Sequence, residues 1–372
     1  MEKILIIWLA YSKRVIRQLT YLKDKYDVYA VGVEDPHIEG IRFFQVRPVF
    51  RTMTILHKAI TALLLECRQF ETAHRKMYDY RGLIEKLSTT HFDLILAHDI
   101  KPLPFVYQLD QNPNLLVDVH EYYFDMSNQR IPIIKRFDDY LINTYFLKCE
   151  HFFTVSQGLA DEYAQKIGKK FEMITSAHDY VDLAPTPVNN EKIRIIHHGF
   201  ASPARKLEVM IEMMDTLDER FELDLMLTSL TFEDGYIKKL QTMCEKRKNV
   251  HIIPPVRPDE IVSFTNAYDI GLFILPETNV SLRYALPNKF FEFIQARLCI
   301  AIGPSVEMAK IVKQYDLGIV ADDFKPATLA RMLNSLTREH IEYYKQQCHK
   351  HARLLSSETE MAKLDRIIQN ML

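Results

Sequence analysis

The chain is poor in glycine and has neither of the common glycine-rich phosphate-binding motifs. It contains 10 glycines in 372 residues, less than half of the usual share of roughly 7%. No GxGxxG follows the first apolar run, where the sequence reads Trp8-Leu-Ala-Tyr-Ser12, and no GxxxxGK(S/T) occurs. These absences argue against a dinucleotide-binding domain at the N-terminus and exclude P-loop phosphoryl transfer.

Cysteines, long apolar runs and excess charge are also scarce. The five cysteines are scattered and form no CxxC pair, which argues against a disulfide framework or a zinc site and predicts a reducing, cytoplasmic environment. No apolar stretch approaches the ~20 residues that span a bilayer. The apolar run near the N-terminus precedes basic residues, the reverse of a secretory signal, so we expect a buried strand there. The net charge of −2 gives no reason to expect a nucleic-acid partner.

What the chain does contain is an alternation of strand and helix patterns that occurs twice. The length suits two domains, and this alternation is typical of βαβ units with parallel sheets. A segment with two prolines and two asparagines, residues 183–190, interrupts the pattern and predicts a linker. The predicted strands are residues 3–8, 26–33, 40–46, 92–97, 115–119, 151–155 and 170–174, then 193–197, 223–228, 250–253, 270–274, 299–302 and 318–320.

We therefore expect two Rossmann-like, doubly wound α/β domains with a cleft between them. The first spans residues 1–186 and the second residues 187–355. A final helix, residues 356–372, is expected to pack back onto the first domain. In open α/β sheets ligands bind beyond the carboxyl ends of the strands, so polar residues that follow predicted strands are the candidates for a site.

The first candidate is a basic segment after a predicted strand, which ends in His197-His198-Gly199. A loop follows, and a helix is predicted to begin near Arg205 and Lys206. Two cations at a helix N-terminus oppose its dipole, and a docked polyanion such as a nucleotide pyrophosphate would explain them. The alternative is a solvated basic pair on a surface turn.

The second candidate lies in residues 286–320, which predict a helix, a buried strand, a Gly-Pro-Ser turn, a helix and a strand. Glu292 falls in the first turns of that helix, just after Pro287-Asn288-Lys289. The two oxygens of a carboxylate suit a vicinal diol, such as that of a ribose. The alternative for Glu292 is a salt bridge on the helix.

The third candidate is Asp118-Val-His120-Glu121, where another strand ends. His120 is expected at the edge of the first domain, although a lone histidine is more often structural. We expect Asp118 and Glu121 to be structural. His98-Asp99 also ends a strand, and these residues are a weaker candidate for lining an acceptor pocket.

Together these segments resemble the GT-B glycosyltransferases, in the large retaining group that is called glycosyltransferase family 4-like or "glycosyl transferases group 1". The Pro-Asn-Lys signature resembles a subgroup that acts in bacterial capsule or surface polysaccharide synthesis. The resemblance is moderate over residues 190–335, weaker over 90–180 and faint before that. It implies transfer of a sugar from a nucleotide-sugar, most often UDP- or GDP-linked, to a glycan or lipid-linked acceptor, with retention and without a divalent ion or other cofactor.

The resemblance also implies roles for the basic segment. Gly199, Arg205 and Lys206 match the family's glycine loop and the cations that hold the donor pyrophosphate, and Lys206 matches the usual lysine. Several relatives have an arginine directly after the glycine, where this chain has Phe200. One contact to the pyrophosphate is therefore missing here or is supplied by another residue.

For the other candidates, the resemblance assigns Glu292 to the donor ribose and Lys289 to the phosphate or sugar. It places His120 near the donor sugar, where it would position a hydroxyl group. The family often has a second glutamate eight residues before Glu292, and this chain has Tyr284 instead. That departure keeps open a non-catalytic GT-B subunit, and the shared architecture keeps open a sugar-nucleotide epimerase.

Peripheral attachment to a membrane is a further expectation. Residues 42–86 contain nine Lys or Arg and four Asp or Glu, and the predicted helix of residues 52–69 is apolar with basic neighbours, a pattern that suits an anionic bilayer surface. Residues 131–148 are similar. The alternative is an ordinary domain helix whose apolar face lies in the core.

Overall fold

The computed structural model describes residues 1–10, 12–48, 54–80, 82–125, 132–188, 191–228 and 234–372. The chain divides into two compact units, Met1–Ile174 with Met361–Leu372, and Thr175–Glu360. The sequence placed the boundary later, after residue 186. Residues 175–186 belong to the second unit because they hydrogen-bond to it: Arg297 Nη2 donates to the Val181 carbonyl at 2.7 Å, and Thr186 Oγ1 donates to the Asn266 carbonyl at 2.7 Å. Asn189 and Asn190 of the predicted linker lie outside the described residues.

In the described residues, the first unit contains a parallel sheet of seven strands in the order β3-β2-β1-β6-β7-β8-β9. A separate antiparallel pair joins β4 to β5. The central strands β6 and β7 are buried along their whole length, which explains why they are apolar runs rather than alternating patterns. The strands are β1 (Lys3–Ile7), β2 (Asp27–Gly32), β3 (Arg42–Gln45), β4 (Arg47–Pro48), β5 (Tyr78–Asp79), β6 (Leu94–His98), β7 (Leu115–Val119), β8 (His151–Thr154) and β9 (Phe171–Met173).

The described part of the second unit contains a parallel sheet of six strands in the order β12-β11-β10-β13-β14-β15. Each predicted strand of the two halves is present, so the prediction of two parallel α/β sheets is confirmed. The strands are β10 (Ile193–Phe200), β11 (Phe221–Thr228), β12 (Val250–Ile253), β13 (Ile270–Phe273), β14 (Cys299–Ile302) and β15 (Gly318–Val320).

Helices connect the strands of the first unit. The predicted helical stretch from residue 52 to 87, with an expected break near residues 78–80, is divided twice. Arg68 adopts a left-handed φ of 57° just after the first helix, and β5 lies at the expected break. Thr52 and Met53 lie outside the described residues. The helices are α1 (Lys13–Leu22), α2 (Ile55–Glu66), α3 (Phe70–Met77), α4 (Leu83–Ser88), α5 (Leu103–Leu109), α6 (Pro132–Thr144) and α7 (Gln157–Ile167).

Helices also connect the strands of the second unit, and a last helix ends the chain. In that last helix, Met361, Leu364 and Ile368 are buried in the core of the first unit. None of the described helices combines the length and the apolar character needed to cross a bilayer. The helices are α8 (Glu208–Met213), α9 (Asp234–Cys244), α10 (Ile261–Thr265), α11 (Val280–Arg283), α12 (Asn288–Gln295), α13 (Val306–Tyr315), α14 (Pro326–Ser335), α15 (Arg338–His351) and α16 (Ser357–Met371).

The strand order reverses direction once in each sheet. The reversal lies between β1 and β6 in the first sheet and between β10 and β13 in the second. The loops at such a point diverge and leave a crevice beyond the carboxyl ends of the strands, where ligands of open α/β sheets bind. The polar residues that follow β6, β7 and β10 are therefore at the positions where a site is expected.

Candidate functional site

Two cations converge on Gly199 at the end of β10. Gly199 has a φ of 123°, and a Cβ atom placed on it would lie 2.9 Å from Lys289 Nζ and 4.0 Å from Arg205 Nη1. A side chain at this position would therefore occupy the space into which both cations point. Like charges repel unless an anion or a carboxylate compensates them, so their convergence marks this point as a candidate anion site.

Lys289 is almost completely buried, with 6% of its surface exposed. Its Nζ lies 3.3 Å from His197 Nε2 and 4.5 Å from the centre of the Phe273 ring. Burial lowers the pKa of Lys289 well below its usual value, and the charge of Arg205 lowers it further, while Glu292 acts in the opposite direction.

His197 is fully buried beside this lysine. Its Nδ1 lies 2.9 Å from the carbonyl oxygen of Leu272. A carbonyl only accepts, so Nδ1 carries the hydrogen and Nε2 presents a lone pair to Lys289. Burial holds the pKa of His197 well below its usual value, with Lys289 lowering it further, so the ring is neutral.

The segment that follows Gly199 differs from the prediction. Instead of a helix that begins near Arg205, Pro203–Arg205 forms a single 3-10 turn, Lys206 has a left-handed φ of 48°, and α8 begins at Glu208. The left-handed residue interrupts helical hydrogen bonding between the turn and α8. Arg205 and Lys206 therefore do not lie at a helix N-terminus, and the expectation that they oppose a helix dipole there is wrong. Arg205 instead lies half-buried with its Nη1 3.3 Å from the carbonyl of Phe200, and Lys206 is exposed.

Glu292 lies three residues after Lys289 on α12, which places both on neighbouring turns of one helix face. It is 4% exposed, and its Oε2 lies 3.6 Å from His198 Nε2. The helix approaches β13 closely because residue 271 is a glycine: a Cβ there would lie 2.5 Å from Cγ of Phe293. Gly271 thus lets α12 bring Lys289 and Glu292 to the end of β10.

A second polar cluster lies in the first unit, around Asp118 on β7. Asp118 is fully buried and accepts from Arg14 Nε at 2.7 Å, Arg14 Nη2 at 3.1 Å and Gln18 Nε2 at 2.9 Å. Burial alone would raise the pKa of this carboxyl, but the Arg14 charge and then His120 outweigh it and hold the pKa far below its usual range. Asp118 lies at the centre of this cluster. Its structural role stays a prediction.

His120 follows β7, as expected, and remains 22% exposed at its side chain. Its Nε2 lies 3.2 Å from Asp118 Oδ2, its Nδ1 lies 3.6 Å from Asp99 Oδ2, and its backbone N–H donates to Asp99 Oδ1 at 3.2 Å. Burial disfavours the charged ring, but the two carboxylates, Asp118 foremost, outweigh burial and raise the pKa of His120. His98, 3.4 Å from Asp118 Oδ2, is buried and its pKa falls to about 3.

The ligand atoms of His98, Asp118 and His120 lie within 4.8 Å of one another, a spacing that would allow a metal ion. However, Asp118 already accepts two hydrogen bonds from the Arg14 guanidinium, whose positive charge would lie against the ion. The arrangement therefore suits a buried ion-pair network better than a divalent cation.

We expect three histidines of the first unit to titrate at very different pH values. The midpoint of the His120 titration should lie above pH 6.5, the ordinary histidine pKa, whereas His98 should stay neutral until about pH 3. His74, a buried histidine on α3, should stay neutral until about pH 4. His120 gains charge more readily in the folded state, so its contribution to stability is present below pH 6.5 and is lost as pH rises through its raised pKa. NMR of protein with isotope-labelled histidines, assigned with a His120→Gln variant, measures these values. A His120 that titrates below 6.5 would contradict the described network.

Several residues of these clusters were not identified from the sequence. Arg14 and Gln18 lie on α1 about a hundred positions before Asp118 and belong to no motif. His197 belongs to the His197-His198-Gly199 segment that the sequence analysis singled out, but its contact with Lys289 could not be predicted from the sequence. The structure does bring together three predicted residues, Gly199, Arg205 and Lys289.

Comparison with known proteins identifies the fold. The sequence matches no protein-family profile and no curated protein. Among solved structures, Anabaena HepE in complex with UDP and glucose has a TM-score of 0.68 at 14% identity, with 100% of each chain covered. A glycosyltransferase from Rickettsia africae has a TM-score of 0.73 at 13% identity, covering 100% of this chain and 98% of its own.

WaaG, a glycosyltransferase involved in lipopolysaccharide biosynthesis, has a TM-score of 0.66 at 12% identity, covering 98% of this chain and 99% of its own. Identities this low establish the fold alone. The two parallel-sheet α/β units and these similarities show the GT-B architecture, which confirms the predicted fold class.

Proposed function

We propose that this protein is a glycosyltransferase that moves a sugar from a nucleotide-sugar to a glycan or lipid-linked acceptor. The observation that carries the proposal is the convergence of Arg205 and buried Lys289 on Gly199 at the switch point of the second sheet. Two cations and a residue without a side chain suit a diphosphate, which brings two adjacent anionic groups close to the backbone.

In this proposal the second unit holds the donor. Arg205, Lys206 and Lys289 bind the pyrophosphate and stabilise the charge that develops on it as the sugar leaves, which is the main electrostatic task of such a transfer. Glu292, on the same helix face as Lys289, accepts from the ribose hydroxyls. The UDP found in Anabaena HepE supports a UDP-sugar as the donor.

His120 in the first unit is proposed to position a sugar hydroxyl group and to supply positive charge. Its raised pKa supports the second role, because the ring keeps its proton to a higher pH than an ordinary imidazole does. We further propose that transfer occurs with retention and without a divalent ion, and that the acceptor belongs to a bacterial surface polysaccharide. An unchanged rate in the presence of EDTA would support the independence from metal.

The proposal is tested with purified protein and a panel of UDP-, GDP- and CDP-sugars. A ligand that binds the folded state raises the melting temperature, so thermal shift identifies the donor, and product analysis with acceptor glycans identifies transfer. The rival functions give different results. An epimerase would convert the nucleotide-sugar without acceptor or incorporate solvent deuterium, and a non-catalytic subunit would bind a donor without turnover.

We expect Glu292→Gln to weaken binding of a ribonucleotide donor by about tenfold to a hundredfold, because a hydrogen bond to a charged group contributes roughly 1.5–3 kcal/mol. The change keeps the volume of the side chain and removes only its charge. Calorimetric titration with the nucleoside diphosphate measures the loss, and the 2′-deoxy analogue, which lacks one hydroxyl, should discriminate less between wild type and variant. Equal affinity of both proteins for the ribonucleotide would remove Glu292 from the ribose site.

We also propose that the protein works in the cytoplasm, on the inner face of the membrane, with α2 as the contact. Three apolar side chains of this helix are largely exposed: Ile55 by 88%, Leu56 by 68% and Leu63 by 63%. Only Thr61 and Leu65 of the helix are buried. The three exposed apolar side chains therefore do not belong to an apolar face that packs into the core, which was the alternative for this helix. Exposed lysines and arginines nearby suit anionic lipid; they are Lys58, Arg68 and Lys135.

The triple variant Ile55→Ser, Leu56→Ser, Leu63→Ser should lose binding to vesicles that contain anionic lipid. Burying such a side chain contributes about 1.5–3 kcal/mol, so losing all three should reduce sedimentation with vesicles to background. Leu354→Ser, which changes a side chain 50% exposed in the second unit, is the matched control and should bind like wild type. Vesicle binding that the triple variant retains, or that wild type lacks, would refute the contact.

A further inference from the structure

The buried pair of His197 and Lys289 has an unusual composition for an anion site. Lys289 Nζ contacts a neutral ring nitrogen at 3.3 Å and an aromatic face at 4.5 Å. Within the described residues no carboxylate forms an ion pair with it, because Glu292 on the same helix lies against His198. The pocket therefore offers Lys289 a hydrogen-bond acceptor and, in Glu292, a negative charge that favours the ammonium form without forming an ion pair with it in the described residues.

In the part of the chain that the structure describes, Arg205, His198 and Glu292 act electrostatically on the pair. Arg205 lies beside Gly199 and, like His198, opposes positive charge on the pair, and Glu292 is the acidic group that favours it. β13 contributes the Leu272 carbonyl and the Phe273 ring, which carry no charge. A lysine with these neighbours gives up its proton far more readily than one in water.

We propose that His197 positions Lys289 and that Lys289 takes up one proton when a diphosphate enters the site. The inference rests on the proposed function of the second unit as the donor site. His197 donates from Nδ1 to the Leu272 carbonyl, which fixes its ring and aims the Nε2 lone pair at Nζ. In the empty site Lys289 is a neutral amine beside Gly199. It becomes an ammonium ion when a diphosphate binds, because the negative charge of the diphosphate then compensates its positive charge.

The sign of the effect follows from linkage. A bound diphosphate favours the charged lysine and raises its pKa relative to the empty site. At a pH between the two values, binding draws a proton from solvent, so affinity falls as pH rises through that window. Below the window Lys289 is already charged and binding involves no proton. Because Lys289 takes up its proton only on binding, the empty site carries the least positive charge. Lys289 and Arg205 therefore repel each other least when no diphosphate is bound.

Calorimetric titration of UDP and of GDP, in buffers of different ionisation enthalpy, counts the protons exchanged. At about pH 8 the terminal phosphate of the nucleotide is fully ionised and contributes none. For wild type we expect uptake of up to one proton. Lys289→Met should bind about tenfold to a hundredfold more weakly with no uptake. Lys289→Arg is charged at every accessible pH, so it should bind the nucleotide without taking up a proton. It replaces Lys289→Met in this experiment if the Met variant does not fold.

Two further variants separate the roles of the neighbours. Lys206→Met removes an exposed cation and should lose affinity while keeping the proton uptake. His197→Phe keeps the ring shape without the acceptor and should bind about tenfold more weakly, whereas His197→Gln keeps an acceptor and should bind within about threefold of wild type. A merely structural His197 would not discriminate between Phe and Gln in this way.

The outcomes are distinct. Nucleotide binding by wild type without proton uptake between about pH 6 and pH 9 would overturn the inference and leave the proposed donor site intact. Uptake that persists in Lys289→Met would overturn the assignment to Lys289. Failure of both nucleotides to bind would overturn the proposed function, and the inference with it.

Discussion

Replacing Asp118 with Asn is expected to lower the free energy of unfolding of the first unit by about 3–5 kcal/mol. The pair of Arg14 and Asp118 is buried, with side chains 5% and 0% exposed and a separation of 2.7 Å. Asparagine keeps the shape of the side chain but removes the buried negative charge that accepts hydrogen bonds from Arg14 and Gln18. The charge on His120 loses its nearest partner at the same time.

The unfolding of the first unit can be followed separately. The chain has one tryptophan, Trp8, which is buried in the core of that unit beside Phe43. Urea unfolding that is monitored by Trp8 fluorescence therefore reports on this unit. Asp139→Asn, which changes a side chain 51% exposed on α6, is the matched control and should change stability by less than about 0.5 kcal/mol. Equal midpoints for the Asp118 and Asp139 variants would show that the buried network contributes nothing.

The pH dependence gives a second check on Asp118. Its pKa is depressed in the folded state, since the Arg14 charge outweighs the effect of burial. The stabilisation is therefore complete above the ordinary aspartate pKa and declines only as pH falls below it. The part of the stability difference between wild type and Asp118→Asn that comes from the Asp118 carboxyl should persist above about pH 4 and shrink at lower pH. The part that comes from His120, whose pKa Asp118 raises, should be lost as pH rises through that raised pKa.

Lys206→Ala is expected to reduce turnover by about a hundredfold to a thousandfold, if the protein is the proposed transferase. Removing one group that stabilises charge in a transition state typically costs about 2.7–4 kcal/mol. Lys206 is exposed and follows Arg205 directly at the end of the 3-10 turn, one position after a residue whose side chain reaches Gly199. Initial rates at saturating donor measure the change in turnover.

The control for Lys206 must separate charge from backbone geometry, because its φ of 48° is left-handed. Asparagine tolerates this conformation better than most residues, so Lys206→Asn should lose as much activity as Lys206→Ala. Lys313→Ala, a change at an exposed position on α13, should leave the rate unaltered. An active Asn variant would attribute the effect to the backbone, and an active Ala variant would remove Lys206 from the proposed mechanism.

The architecture could be predicted from the sequence because parallel strands are covered on both faces and are therefore continuous apolar runs. Residues 115–119, 250–253, 299–302 and 318–320 were predicted with the bounds that the structure shows. Residues at the carboxyl ends of such runs, such as Gly199 near the end of β10 and His120 after β7, are placed at the carboxyl edge of a sheet by strand direction alone. This is why the candidate positions could be found without a structure.

Local conformation was harder to predict where a residue departs from its usual preference. Nothing in the identity of Lys206 or Arg68 signals a left-handed backbone, which is costly for residues with a Cβ. The helix predicted to begin near Arg205 therefore proved to be a 3-10 turn followed by α8. A prediction from propensity alone misses such residues, since surrounding packing holds them in place.

The contacts that give the candidate site its chemistry were decided only by the tertiary structure. Asp118 meets Arg14 across 104 positions of the chain, and Lys289 meets His197 across 92. The sequence by itself determined the residue types, the strands that carry them and the edge of each sheet at which they lie. Burial and the distances between side chains determine which of these groups are charged, and both depend on how α1 and α12 pack against their sheets, which no local pattern records.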